Sequence, residues 1–150
     1  MSLAVSINDH IKDAMRAKDK IRLESLRAIK SAFLLAGTEK GASGSISEDE
    51  ELKILQRLQK QRKDSLEIYT QQGRADLAED ERLQLQIIEE FLPKQMDAEE
   101  LNSYLKNLLE KLGTSGPQDM GKVMGTASKE LAGKADGKTI SAAVRELLSN

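Results

Sequence analysis

Acidic side chains are the most abundant groups in this sequence that could carry out acid–base or metal chemistry. The chain has 25 Asp and Glu residues, but only one His (His10) and no Cys. With one His and no Cys, a histidine-based metal or triad site is disfavoured, and thiolate metal sites and cysteine nucleophiles are excluded. The acidic run Glu48–Glu51 opens a predicted helix, where the helix dipole favours negative charge. The acids at 79–81 and 89–90 are expected on solvated helix faces, and His10 on the polar side of the first helix, exposed and inert. We therefore predict no catalytic residue, no metal site and no cofactor.

Basic residues are the second chemical group, because lysine and arginine bind phosphate. One group of basic residues clusters on a predicted long helix: Arg57, Lys60, Arg62 and Lys63. A second group lies in the last 30 residues: Lys122, Lys129, Lys134, Lys138 and Arg145. Lysines at turns beside helix N-termini can contact phosphates without reading bases. The alternative is an ordinary solvated surface, and the net charge of -2 gives no overall attraction to nucleic acid. The candidates are Lys122, Lys134, Lys138, Arg145, Arg62 and Lys63.

Three glycines near these lysines need a structural reason. Gly121 and Gly125 are one helical turn apart inside a predicted helix, where each glycine costs about 1 kcal/mol relative to alanine. No strand precedes them and no Gly-Lys-Ser/Thr follows, so they do not form a phosphate loop. We predict that they let a neighbouring helix approach closely, and that Gly133 forms a turn.

Composition limits the class of protein. Hydrophobic residues make up 39% of the 150 residues and charged residues 32%, without any Trp, so the core must be aliphatic. No apolar run approaches the roughly 18 residues that span a bilayer. With neither cysteines nor a basic-then-apolar start, the sequence indicates a cytoplasmic protein that does not bind membranes.

Helical periodicity runs through the whole chain, which predicts an all-α fold. Gly37 is expected to end the second helix, and a Gly/Ser loop to occupy Lys40–Ser47. Ser47 and Glu50 form a predicted capping box, which starts a long helix reaching about Gln72. The next helix stops before Pro93, and the short connection predicts an antiparallel hairpin.

The segment 93–97 is the predicted boundary between two helical domains, residues 1–95 and 96–150. After it, three shorter helices are predicted: one capped by Asp97 and ending at Gly113, one with Pro117 in its first turn, and one following Asp136. We expect these three helices to form a small bundle.

Several motifs then resemble those of the GatB/YqeY family, nearly from end to end. In the N-terminal part they are KQRKDS at 60–65, GRADL at 73–77 and FLPKQM at 91–96. In the tail they are DMGKVMG at 119–125 and GKADGK at 133–138. The tail is similar to the C-terminal domain of the B subunit of the glutamine-dependent amidotransferase that converts Glu-tRNA(Gln) or Asp-tRNA(Asn).

This resemblance implies a role beside an enzyme. In that amidotransferase the tail helps to hold the tRNA body, while the catalytic domains lie elsewhere and are missing from this chain. Carried over, it implies that Lys122, Lys134 and Lys138 contact phosphates, and that the partners are tRNA or a tRNA-charging or amidotransferase assembly. Two alternatives remain. One is a protein-interaction adaptor that uses the long hairpin, and the other is a carbon–nitrogen ligase, suggested by family association alone.

Overall fold

The computed structural model describes residues 2–39, 41, 45–114 and 116–149, and every regular element within those ranges is helical. The all-α prediction is therefore confirmed for the described residues, and no strand occurs among them. The predicted loop Lys40–Ser47 lies partly outside the described residues. The helices are α1 (Leu3–Arg16), α2 (Lys20–Glu39), α3 (Glu48–Gln71), α4 (Ala75–Glu90), α5 (Ala98–Leu112), α6 (Met120–Glu130) and α7 (Gly137–Ser149), with a 3₁₀ turn at Pro117–Asp119.

The chain divides into two compact units, Met1–Leu92 and Pro93–Asn150, each with its own core. In the first unit, Leu26 and Ile29 of α2 are fully buried among side chains from the other three helices. In the second unit, α5, α6 and α7 all pack against one another, with Leu105, Val123 and Val144 fully buried. As the composition requires, both cores are almost entirely aliphatic.

Local sequence signals set most helix ends. The capping box at α3 is formed, because the Ser47 hydroxyl accepts from the Glu50 amide at 3.2 Å and the Glu50 carboxylate accepts from the Ser47 amide at 2.7 Å. Asp97 accepts from the Glu100 amide at 2.8 Å, and Asp136 from the Thr139 amide at 2.7 Å. The prediction for Gly37 was wrong: α2 continues to Glu39 and buries this glycine, because glycine weakens a helix without forbidding it.

Glu51 joins two helix N-termini in the first unit. It lies in the first turn of α3 and is only 5% exposed. Its carboxylate accepts hydrogen bonds from the backbone amides of Leu3 at 3.0 Å and Ala4 at 3.2 Å. The N-cap residue of α1, Ser2, makes no side-chain cap bond. Glu51, which is 48 positions from Leu3 and 47 from Ala4, therefore caps α1 in place of a local side chain.

Replacing Glu51 with alanine should lower the free energy of unfolding by about 1–2 kcal/mol, because the first amides of α1 lose their cap. Chemical denaturation monitored by circular dichroism measures this loss. The matched control is Glu48→Ala in the same first turn of α3, where the side chain is exposed and the expected loss is below about 0.5 kcal/mol. Equal losses in both variants would contradict the cap.

The acids predicted on solvated faces of α4 are used in contacts between helices. The amide of buried Gln59 donates to the Glu89 carboxylate at 2.8 Å. Glu81, whose side chain is 13% exposed, pairs with Arg62 of α3 at 3.0 Å. Glu90 pairs with Arg22 of α2 at 2.7 Å. The solvated-face prediction was therefore wrong for Glu81 and Glu89, because partners on α3 partly cover them. Glu90 is exposed as predicted, with 52% of its side chain accessible.

His10 is also closer to the core than predicted. It is half-buried, and its ring meets the Phe91 ring edge-on, with 5.1 Å between the ring centroids. The Arg22 guanidinium lies 6.0 Å from the centroid of the same Phe91 ring. Phe91 follows α4 directly, so this contact could not be inferred from the helical pattern of α1.

Candidate functional site

The side of α6 that faces away from the core combines small and basic residues. Val123 and Ala127 are fully buried and fix the inner side of the helix. At 100° per residue, the positions opposite them all fall on one face, and every residue there is exposed. This outer face of α6 consists of Gly121, Lys122, Gly125, Ser128 and Lys129.

The two glycines of this face pack against nothing in the described part of the chain. A methyl group built at Gly121 or Gly125 would meet no atom within 4 Å. Neither has the positive φ that favours glycine. The predicted close approach of a neighbouring helix is therefore wrong at both positions, because they point away from α5 and α7. Their combined cost of roughly 2 kcal/mol relative to alanine has no internal compensation in the described structure.

Gly133 has the turn role that the sequence predicts. Its φ is +80°, in the left-handed region that glycine adopts most easily. Its carbonyl oxygen accepts from the side-chain amide of Gln95 at 2.6 Å. The carbonyl of the neighbouring Lys134 accepts from the backbone amide of Met96 at 2.9 Å. The turn between α6 and α7 is thereby fastened to the segment that precedes α5.

The four basic candidates of the tail are all exposed but do not form one cluster. Lys122 lies in the first turn of α6, and its ammonium donates to the Leu112 carbonyl at 3.4 Å. Lys134 and Lys138 lie beyond the other end of α6, a helix of about 16 Å at 1.5 Å per residue. Lys138 and Arg145 are two turns apart on the outer face of α7, opposite the buried Ile140 and Val144. Because the tail cations lie in rows along the helices, all four cannot contact a single phosphate.

The two candidates on α3 are engaged inside the first unit. Arg62 lies 3.0 Å from the Glu81 carboxylate and donates to the Gln84 side chain at 3.4 Å, with 29% of its own side chain exposed. Lys63 is half-buried and has an interaction partner of its own. Binding of RNA by Arg62 stays a prediction, and a phosphate would have to compete with Glu81, whose nearly buried carboxylate pairs with Arg62.

Sequence reasoning did not recognise the outer face of α6 as a unit. Lys129 is absent from the predicted contacts, and the glycines were assigned to internal packing. The signal was present in the spacing, because residues 121, 122, 125 and 129 recur at three- and four-residue steps away from Val123 and Ala127.

Acidic groups near this face are held by internal hydrogen bonds. Glu130, at the end of α6, accepts a short hydrogen bond from the Tyr104 hydroxyl of α5. Burial raises the pKa of Tyr104 to about 12, with further contributions from the hydrogen bond to Glu130 and its negative charge. Asp136 caps α7. Three acids lie between residues 120 and 149. Glu130 is hydrogen-bonded to α5 and Asp136 to the first turn of α7, and only Glu146 has neither type of bond.

Replacing Glu130 with glutamine should lower the pKa of Tyr104 from about 12 towards its usual value near 10, because the carboxylate and its charge are lost. Ultraviolet difference titration of phenolate formation measures this change, with a Tyr69→Phe background to isolate the Tyr104 signal. An unchanged midpoint in Glu130→Gln would show that burial alone raises the pKa.

No three His, Cys, Asp or Glu side chains lie close enough to hold a metal ion among the residues that the structure describes. No described helix is long and apolar enough to cross a bilayer.

Comparison with known proteins gives consistent matches across both units. The family model described as Yqey-like protein matches residues 4–148. Altered inheritance of mitochondria protein 41, mitochondrial, from Pyrenophora tritici-repentis is 28% identical over 142 residues, covering 92% of this chain and 76% of the relative. The protein of the same name from Lachancea thermotolerans is 33% identical over 116 residues, covering 75% of this chain and 60% of the relative.

Proposed function

The chain belongs to the Yqey-like protein family, and from this premise we propose that it is an accessory RNA-binding protein. It holds tRNA, alone or within a tRNA-charging or amidotransferase assembly, against the outer faces of α6 and α7. In this proposal α5, α6 and α7 form a three-helix tail that presents these faces. The chain supplies contacts with the nucleic acid and carries out no chemistry of its own.

The observation that carries the proposal is the pair of open glycines that share the outer face of α6 with two lysines. Gly121 and Gly125 destabilise the helix and are not needed for packing among the described residues. Their lack of side chains lets a bulky partner lie directly against the helix. Lys122 and Lys129 lie seven residues apart on the same face, or about 10 Å along the helix axis, so a sugar–phosphate chain lying there would meet two ammonium groups.

The charge of the tail helices supports a polyanionic partner. Residues 120–149 carry five basic side chains against three acidic ones, although the whole chain has a net charge of -2. The outer face of α6 holds no aromatic side chain, which disfavours binding through stacked bases. Contacts to phosphates alone would be indifferent to sequence and sensitive to salt. The choice of tRNA among RNAs follows from the resemblance to the amidotransferase tail.

An electrophoretic mobility shift with bulk tRNA tests the proposal. If about four phosphates are contacted, the affinity should fall roughly 100-fold between 50 and 200 mM salt, because condensed counterions are released on binding. Absence of any shift at 50 mM salt would overturn it.

A protein-interaction adaptor is the second candidate, supported by the surface at the turn between α3 and α4. Ile68 is 50% exposed there. Next to this turn lies an open cavity of about 340 Å³, lined by Leu66, Thr70, Gly73, Ala75, Ala78, Glu79 and Arg82. An apolar side chain of a partner fits a cavity with this lining. Affinity capture after nuclease treatment, repeated with Ala78→Glu to fill the cavity, tests this function. A partner retained by both variants would contradict it.

A further inference from the structure

A second row of cations lies on α3, outside the tail. Lys53, Arg57 and Lys60 are all exposed, and their spacing of four and three residues places them on one face of the helix. The opposite side of α3 is fixed by buried Ile54 and Gln59. We call Lys53, Arg57 and Lys60 the α3 basic row.

These three cations are not used within the described structure. None of them forms an ion pair with any residue that the structure describes. Asp49 and Asp64 lie four residues before Lys53 and four residues after Lys60, a spacing that permits pairing on a helix. Neither pair is formed. The cations of the row therefore remain available to a ligand, in contrast to Arg62 on the same helix.

The dimensions and chemistry of the row suit a nucleic-acid backbone. Lys53 and Lys60 are seven residues apart, or about 10 Å along the helix axis at 1.5 Å per residue. A row of this length reaches more than one phosphate of a nucleic-acid strand, whose charges recur about every 3.4 Å along the axis of a B-form duplex. Protein partners usually bind through an apolar anchor, and the exposed residues beside the row, Asp49, Gln61 and Asp64, provide none.

We propose that the α3 basic row is a second RNA-binding surface, which contacts phosphates through Lys53, Arg57 and Lys60. The inference rests on the proposed RNA-binding function and adds a site in the first unit, on a helix that the tail proposal does not use. It also replaces Arg62 and Lys63 with neighbouring cations that point to solvent.

The test is a salt titration of binding to bulk tRNA with the full chain carrying K53E/R57E/K60E. We expect the affinity at 50 mM salt to fall on the order of 100-fold, and the slope of log affinity against log salt to lose about two to three units. K12E/K20E/R27E is the matched control, because it changes the charge equally at exposed positions of α1 and α2. K53Q/R57Q/K60Q repeats the measurement should the charge reversal disturb folding.

Each outcome separates the two RNA proposals. Loss of affinity in the α3 variant with a much smaller loss in the control supports the row. Equal losses in K53E/R57E/K60E and in K12E/K20E/R27E overturn the row and leave the tail proposal standing. The same holds if K53E/R57E/K60E binds tRNA as the wild type does while K122E/K129E loses affinity. Loss in the α3 variant but not in K122E/K129E supports the row and overturns the tail. If K53E/R57E/K60E keeps its affinity for tRNA but no longer binds poly-L-glutamate, the row is a surface for acidic protein and the inference is overturned.

Discussion

Replacing Lys122 and Lys129 together with glutamate should weaken the binding of bulk tRNA on the order of 100-fold at 50 mM salt. Each substitution removes one phosphate contact and introduces a repulsive charge on the outer face of α6. The slope of log affinity against log salt should lose about two units, close to one for each contact. Both side chains are exposed, so the free energy of unfolding should change by less than about 0.5 kcal/mol.

The matched control for this variant is K12E/K106E. It makes the same change in net charge at two exposed lysines on α1 and α5, neither of which belongs to the outer face of α6. Its affinity should fall only slightly, through the change in net charge. An equal loss in both variants would mean that net charge, and not the α6 face, determines binding.

Replacing Gly121 and Gly125 together with alanine should change stability and binding in opposite directions. Added methyl groups meet no atom within 4 Å, and alanine is favoured over glycine inside a helix by roughly 1 kcal/mol per position. The free energy of unfolding should therefore rise by about 1–2 kcal/mol. The affinity for bulk tRNA should fall about tenfold, because the methyl groups hold the sugar–phosphate chain away from the lysines on the same face.

Denaturation and mobility-shift measurements on the same preparation give both values. Ser103→Ala is the control, since it also raises helix propensity at an exposed position, but on α5, outside the proposed RNA-binding faces. It should leave the affinity unchanged. A stabilised double variant with wild-type affinity would show that the open glycines serve no partner.

Local chemistry predicted the helix ends well. The cap at Ser47 and the left-handed glycine at 113 depend on residues within one turn of the helix end. Such signals act in the same way whatever surrounds them, because the orphan amides and carbonyls of a helix terminus need a partner close in sequence. The start of α3 and the end of α5 could therefore be inferred without any tertiary contact.

Partners that lie far apart in the chain were not predictable. Glu51 reads as an ordinary first-turn acid, but it caps a helix that starts 48 residues earlier. Arg62 reads as an exposed cation, but Glu81 of the facing helix binds it. Periodicity shows which side of a helix is apolar but not which polar residue of another helix meets it.

The sequence singled out the residues of the candidate site but not the arrangement of all of them. Lys122 was predicted to contact phosphate from its residue type and place, and this stays a prediction. The role of Gly121 and Gly125 was misassigned, because small residues one turn apart are compatible with a neighbouring helix or with open solvent. Only the position of α5 and α7 relative to α6 decides between these two arrangements.

The most direct measurement of the α6 proposal is a ¹⁵N–¹H spectrum of the glycine amides during titration with bulk tRNA. The signals of Gly121 and Gly125 should shift or broaden first, at substoichiometric tRNA. The signal of Gly73, at the exposed turn between α3 and α4, should change later or not at all. Unchanged Gly121 and Gly125 signals at saturating tRNA would contradict the account.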